Sequence, residues 1–555
     1  MQLDDTTRAA YAAAATPQAA AEAIRDSLGS GTLSAVVAIS GSAQYTGTFA
    51  GPITANADGS LAIDALLTGA LGFAGTPDAS TWTLTIQNAG GTRSMRGSLG
   101  PGGEFRTTKG AAVSGNAVRL RLRVFPERSS MWPISTHASG RYFVRGDGRP
   151  LFIHGDTAWS LAAACTRGQI DAYLNDRAAR GFNAILVNLI EHYFNSSPAY
   201  RNAEGYDPFT TMSPVAWASP NTSYWSLIDF LIDAAAARGM LVLATPCYAG
   251  SGGGSEGWHT DVIAASQANM LAYGNFLGNR YKNAGNLIWV MYGDYAVASG
   301  DRPRYQDVID GILAYDADAL VTAHSSRGNS SLDSFAGDSR ISVDVVYSGL
   351  DDAYSEMATV YARSPVLPGF LFEGYYEGHA NGTAARVRSQ PWSILCSGGC
   401  GALFGHEGVW PFGTGGMGGA WTGGFSAAQG YFGSTLTQHM RHVKTMVDAV
   451  AWHLLQPKTG TELVTTSLSS GSSRVCPALA SDASFGLVWV PTASSPTINL
   501  AALAGPNVQA RWYDPTAGTY TAIGTYAASG TQSMTHPGNN AAGASDWVLR
   551  LDSVA

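Results

Sequence analysis

Two stretches of this chain read almost alike, and they constrain its fold more than any other feature. Arg177-Ala-Ala-Arg-Gly-Phe-Asn-Ala-Ile-Leu-Val-Asn188 and Ala234-Ala-Ala-Ala-Arg-Gly-Met-Leu-Val-Leu-Ala-Thr245 both end a helix in Ala-Ala-Arg-Gly and enter an apolar run at once. The glycines, Gly181 and Gly239, fit helix C-caps. Apolar runs without alternation are what strands buried on both faces look like, as in a parallel sheet. The unit recurs. Strands are expected at Leu151–Gly155, Phe182–Leu189, Met240–Thr245, around Trp289, and at Leu320–Ala323, Val343–Tyr347, Val366–Phe372 and Ala402–Phe404. Helices are expected between them at Thr166–Arg180, Tyr224–Arg238, Asp261–Tyr281, Arg302–Tyr315 and about 352–362, 383–395 and 432–454. Eight strands alternating with helices predict an α/β fold, a (β/α)8 TIM barrel. A hairpin with an Asp147-Gly148 turn precedes the first strand, over Tyr142–Leu151.

The flanks have another texture. Residues 1 to about 28 read as one amphipathic helix, and four short alternating segments follow: Leu33–Ser40, Ser60–Leu67, Trp82–Gln87 and Ala117–Val124. After Leu455, strands are expected around Val464, Phe485–Val490, Ile498–Leu500, Val508–Tyr513 and Trp547–Leu551. The expected division is an N-terminal helix plus β-sandwich-like module at 1–130, a barrel at 131–457 and a C-terminal β-sandwich at 458–555. At 555 residues the chain exceeds one ordinary domain, which agrees.

Two of the barrel strands deliver carboxylates. Asn286-Leu-Ile-Trp-Val-Met-Tyr-Gly-Asp294 breaks at Gly293 and ends in Asp294, and Val366-Leu-Pro-Gly-Phe-Leu-Phe-Glu373 ends in Glu373. Taken singly, Asp294 also fits a helix N-cap and Glu373 a surface charge. Strand ends of a barrel, however, open on one face, where active sites are assembled. The other strand ends add Asp156 and Trp159, Asn188, Glu191, His192 and Tyr193, Tyr248, Tyr295, His324, Tyr347, Tyr376 and Glu377, and His406 and Glu407, with Trp258 nearby. Carboxylates, an amide, imidazoles and aromatic faces suit a sugar, whose hydroxyls need hydrogen bonds and whose C–H faces need flat apolar surface. His192, His324 and His406 leave a metal-dependent hydrolase open as an alternative. The run Gly250–Gly257 carries Glu256 and no Lys, so it reads as a flexible lip rather than a phosphate cradle.

Composition closes off other partners. The net charge is −8 and no Lys/Arg run exists, which argues against nucleic acid or anionic membrane. No apolar run approaches ~18 residues, so no membrane span is expected. Met1-Gln-Leu-Asp-Asp-Thr-Thr-Arg8 has neither the basic start nor the apolar segment of a secretory signal. Cys165, Cys247, Cys396, Cys400 and Cys476 form no disulfide framework; Cys396 and Cys400 could bridge or bind metal, but core thiols are the expected reading. No metal or cofactor is expected.

The motifs "GRPLFIHGDTAW", "RAARGFNAILVN", "NLIWVMYGD" and "FEGYYE" together resemble the apiosidase-like family of glycoside hydrolases, and "VQARWYDPTAGTY" with "DWVLRLD" is similar to the β-sandwich that follows the barrel in that family. The resemblance runs from about residue 138 to the end. It implies a retaining glycosidase acting on a poly- or oligosaccharide, with Asp294 as acid/base and Glu373 as nucleophile. It also implies a furanoside such as apiose or arabinose, and a nucleophile hydrogen-bonded by Tyr347. Tyr292-Gly293-Asp294 departs from it, standing where Gly-Gly-Asp is expected. The first forty residues resemble bacteriophage tail-associated modules. That resemblance implies an extracellular or virion-associated protein, a homo-oligomer or virion component, and leaves a non-catalytic glycan-binding tail protein as the rival reading.

Overall fold

The computed structural model describes residues 131–349, 351–412 and 424–555, together with the backbone of eight strands between residues 34 and 124. Chain contacts divide it into two compact units: residues 1–132, 166–179 and 222–240 form one, and residues 133–165, 180–221 and 241–555 the other.

The barrel staves lie in the second unit, at β1 (Ile153–Thr157), β2 (Ala184–Asn188), β3 (Leu241–Thr245), β4 (Leu287–Tyr292), β5 (Val321–His324), β6 (Val346–Tyr347), β7 (Leu371–Glu373) and β8 (Gly401–Phe404). They pair in the order β5-β4-β3-β2-β1-β8-β7-β6, all parallel, and a short antiparallel segment, Asn329–Ser330, continues the sheet beyond β6. The remaining seam between β5 and β6 is held by loop atoms: the Ser342 and Val343 amides donate to Val321 O at 3.0 and 3.2 Å, and the Thr322 hydroxyl donates to Val343 O at 2.8 Å. Every residue of β1 to β5 is buried. For β2 to β4 this is the physical content of their largely apolar reading, while β1 and β5 bury His154, Asp156, Thr157, Thr322 and His324 as well.

In chain order the longer helices among the described residues are α1 (Arg167–Ala179), α2 (Thr222–Ala237), α3 (Gln267–Tyr281), α4 (Arg302–Leu313), α5 (Ala353–Ala362), α6 (Ala384–Cys396) and α7 (Thr435–Asp448). In the first unit, α1 and α2 are joined by the Arg238 guanidinium, which donates to Asp171 and Asn175 at 2.7 and 2.8 Å. Gly181 and Gly239 carry φ of +88° and +68°, the left-handed geometry a C-cap needs. Two expectations need correcting. The helix expected over Asp261–Tyr281 is two helices, His259–Ala264 and α3, because the Ser266 hydroxyl accepts from Asn269 N and starts a new one. The strand expected over Val366–Phe372 is regular only over Leu371–Glu373; ahead of it the Pro368, Gly369 and Phe370 carbonyls accept from the Asp344, Cys400 and Val346 amides, while Pro368 has no N–H to give a ladder.

Beyond α7 stand β9 (Leu455–Pro457), β10 (Cys476–Ala480), β11 (Phe485–Val490), β12 (Asn507–Tyr513), β13 (Tyr520–Ala527) and β14 (Trp547–Val554), antiparallel in the order β9-β10-β11-β14-β12-β13. A two-stranded sheet of Thr497–Asn499 and Thr531–Ser533 accompanies them, and Val488, Ile498, Trp512, Met534 and Leu549 are buried together in one core. Val464 is a single bridge to Ile498 rather than a strand. These sheets are locked to the barrel by the Arg388 guanidinium on α6, which donates to both carboxylate oxygens of Asp546 at 2.8 and 2.7 Å, both side chains being 2% exposed. The five cysteines are buried and unbonded, core thiols as expected.

In the first unit, Ser34–Ile39, Trp82–Asn88 and Gly91–Gly97 form one antiparallel sheet, and Leu61–Thr68 and Ala117–Val124 are the centre of another. The helix expected over residues 1–28 lies outside the described residues. Among the described residues no helix is long and apolar enough to cross a membrane.

Candidate active site

The C-terminal ends of the staves surround one cavity of about 300 Å³. Its wall includes Trp159, Asn188, Tyr248, Asp294, Tyr347, Glu373, Tyr376 and Glu407, all from strand ends. Asp294 and Glu373, 79 residues apart in the chain, thus face one space.

Asp294 is delivered by an unusual turn. Tyr292, Gly293 and Asp294 have φ of +68°, +141° and +45°, three successive residues in the region that favours glycine. At Gly293 no side chain fits, because a Cβ would stand 2.0 Å from the Tyr248 ring. Tyr292 occupies a position where glycine is the expected residue, and its ring is the compensation: it is fully buried, stacked on Phe335 at 4.4 Å and edge-on to Tyr305 at 4.5 Å. The turn aims the Asp294 amide at His324 Nδ1, 3.1 Å away. Burial pushes the Asp294 carboxyl above its ordinary value and the Glu373 charge adds to this, while His324, a hydrogen bond from Ser251 and the Arg327 charge act the other way.

Glu373 ends β7, paired in register with Tyr347 of β6. Its Oε1 accepts from the Tyr376 hydroxyl at 2.8 Å, and that hydroxyl accepts from Trp159 Nε1 at 2.9 Å. Its Oε2 lies 2.8 Å from His324 Nε2. Since an amide can only donate, Nδ1 of His324 is an acceptor and its ring proton sits on Nε2, the nitrogen nearer Glu373. His324, 1% exposed, therefore stands between the backbone of one carboxylate residue and the side chain of the other. The expectation for Tyr347 needs correcting: its hydroxyl accepts from Arg327 Nη2 at 3.1 Å, and the tyrosine that donates to Glu373 is Tyr376.

The other expected residues divide. Trp159, Asn188, Tyr376 and Glu407 line the cavity; Asn188 is 2% exposed with Oδ1 left unpartnered, an acceptor waiting for a donor. Burial pushes the Glu407 carboxyl up, against a hydrogen bond from Trp410 Nε1 at 3.3 Å. Besides His324, Glu191 and Tyr193, six expected residues take no part in the wall. Asp156 is fully buried within β1. Trp258 packs against His192 and Trp217, and Tyr295 against His259. His406 stacks on Tyr431 and accepts from Gly408 N. Glu377 accepts from the Ser434 hydroxyl at 2.6 Å and from Leu436 N at 3.3 Å, so it caps the start of α7. His192 stands 3.9 Å from Asp261, away from the other two histidines, and the three do not assemble a metal site; among the described residues no group of three or more potential ligands does.

Conversely, Phe194, Ser251, Glu256, Arg327, Tyr375, His379, Asn381 and Trp410 line the cavity without having been singled out as site residues. Arg327 lies three residues past the β5 end, where the strand-end rule could have found it. Ser251 and Glu256 belong to the glycine-rich lip, and its order is visible: Glu256 Oε1 accepts from Ser251 N at 2.8 Å and from the Tyr248 hydroxyl at 3.2 Å.

A family model described as "Apiosidase-like, catalytic domain" matches residues 137–453, more than half of the chain. The chain belongs to the apiosidase-like family of glycoside hydrolases. A model described as "Putative collagen-binding domain of a collagenase" matches residues 436–552. Among solved structures, a glycoside hydrolase family 5 protein from Bacteroides vulgatus superposes with a TM-score of 0.65 at 20% identity, covering 76% of this chain and 93% of its own. Another, described only as a glycoside hydrolase, gives 0.66 at 20% identity, with 77% and 98% covered. At such identities the likeness is one of fold. No curated protein matches this apiosidase-like chain.

Proposed function

We propose that this apiosidase-like enzyme cleaves its glycan by a retaining double displacement, with Glu373 as nucleophile and Asp294 as acid/base. The observation that carries the reading is the asymmetry between two carboxyl groups facing one cavity. One oxygen of Glu373 accepts from the Tyr376 hydroxyl, and the other lies 2.8 Å from His324 Nε2. Asp294 is pushed toward protonation by burial and by the Glu373 charge. Two carboxyl groups set in unlike surroundings at one cavity are how acid and nucleophile are told apart. Attack consumes the charge on Glu373, Asp294 then loses its main electrostatic reason to hold a proton, and it can take one from the incoming water.

A furanoside such as apiose or arabinose is the proposed sugar. The division at 1–130, 131–457 and 458–555, action outside the cell, and carriage on a phage particle complete the reading. The collagen-binding-like match supports an extracellular setting. A coding sequence far from any phage structural genes would count against the particle.

The test is hydrolysis of aryl glycosides and bacterial surface polysaccharides by wild type, Glu373→Ala and Asp294→Ala. Glu373→Ala should lose activity on every substrate. Asp294→Ala should retain more on substrates with good leaving groups, and azide should rescue it. Wild-type binding without turnover would favour the glycan-binding rival, and near-wild-type turnover by Glu373→Ala would overturn the assignment.

A further inference from the structure

The loop after β2 presents a tyrosine that the chemistry of the cavity does not use. Tyr193 is 50% exposed, yet it adjoins Phe194, a cavity-wall residue, with ring centroids 5.2 Å apart and planes at 86°. Phe194 in turn meets the wall residue Trp410 at 4.9 Å and 82°. An aromatic run thus leads from the cavity wall out to solvent. Its outermost member is held in place by a buried acid. Glu191 is fully buried, its Oε1 accepts from the amides of His192, Tyr193 and Phe194 at 2.8, 3.1 and 3.2 Å, and its Oε2 accepts from the Ser160 hydroxyl at 2.7 Å. Burying an acid is costly unless its oxygens are hydrogen-bonded. Here the bonds fix the backbone that displays an exposed ring, which lowers the ordering cost of binding something on it.

We infer that Tyr193 is the platform of a distal sugar subsite, so that the substrate is a glycan chain continuing past the bond that is cleaved. The inference rests on the cavity being a glycosidase site. A pyranose or furanose ring leaving the cavity over Phe194 and Trp410 meets the Tyr193 face with its C–H bonds and the phenol with its hydroxyls. Continuity with the cavity selects a further unit of the same glycan as the occupant.

The experiment compares wild type, Tyr193→Ala and Tyr193→Phe on two kinds of probe. One is a 4-nitrophenyl furanoside of arabinose or apiose; the other is a polysaccharide bearing the sugar released, arabinan or apiose-bearing pectin. Tyr193→Ala should raise KM on the polysaccharide about tenfold, a single aromatic contact's worth, and leave the aryl glycoside kinetics unchanged. Tyr193→Phe should restore most of the polysaccharide activity. Equal effects on both probes, or none on the polysaccharide, would overturn the subsite alone. A wild type that cleaves none of the probes would overturn the hydrolase reading and the subsite with it.

Discussion

Gly293→Ala puts the geometry of the acid/base turn to a direct test. A Cβ at this position would stand 2.0 Å from Tyr248 Cδ2, 2.6 Å from Cε2 and 3.1 Å from Cγ. Carbon atoms rest ~3.5–4.0 Å apart, so the ring or the end of β4 must move by about 1.5 Å. The ring has little freedom, being 9% exposed, hydrogen-bonded to Glu256 and packed against Trp159 at 5.7 Å. The strand end is therefore expected to yield, and it carries Asp294 as the next residue. The φ of +141° adds its own penalty for any L side chain. Strain of ~1–3 kcal/mol from the backbone and ~1–3 kcal/mol from overpacking should lower the melting temperature. A misplacement of ~1 Å at a reacting group can cost about a hundredfold in rate. The assay is kcat/KM on an activated aryl glycoside with thermal melts, and Gly300→Ala, whose Cβ would meet nothing within 4 Å, is the control. Wild-type kcat/KM in Gly293→Ala would refute the argument.

Three further outcomes follow from the same contacts. Ser251→Ala removes a hydrogen bond that holds the Asp294 carboxyl down; the acid form then persists to higher pH, and the basic limb of the kcat/KM profile should rise by about one unit, an unmoved limb counting against Asp294 as the acid. Tyr376→Phe deletes the donor to Glu373 Oε1 and the acceptor for Trp159 Nε1; a bond to a charged group is worth ~1.5–3 kcal/mol, so kcat/KM should fall about 10- to 100-fold, while Tyr347→Phe should fall less. Asp546→Ala leaves the Arg388 guanidinium buried without its partner; denaturant melts should show a loss of about 3–5 kcal/mol in the transition that includes α6, with aryl-glycoside kinetics at permissive temperature little changed.

Individual contacts in the site depended on conformations that no local pattern encodes. Glu377 and His406 are bridged to each other in parallel fashion beyond β7 and β8, which places Glu377 at the start of α7 instead of in the cavity. Tyr347 and Tyr376 both stand at strand ends, and only the path of the β7 loop decides that the latter reaches Glu373. Trp258 and Tyr295 are aromatic residues at the right end of the barrel, yet each is taken up by an aromatic neighbour of its own.

By itself the sequence determined the barrel and the two carboxylates at its mouth, because a strand buried on both faces must be an unbroken apolar run and the residue after it must emerge at one face. The family resemblance implied glycine where Tyr292 stands. Only the tertiary structure decided why that is tolerated, since the packing of Phe335 and Tyr305 on the Tyr292 ring comes from residues 43 and 13 positions away. It decided, too, that Arg327, His379 and Asn381 reach the cavity, and that β13, whose outward residues show no apolar alternation, is a strand at all. Loops and edge strands take their shape from contacts distant in sequence, and periodicity carries no record of those.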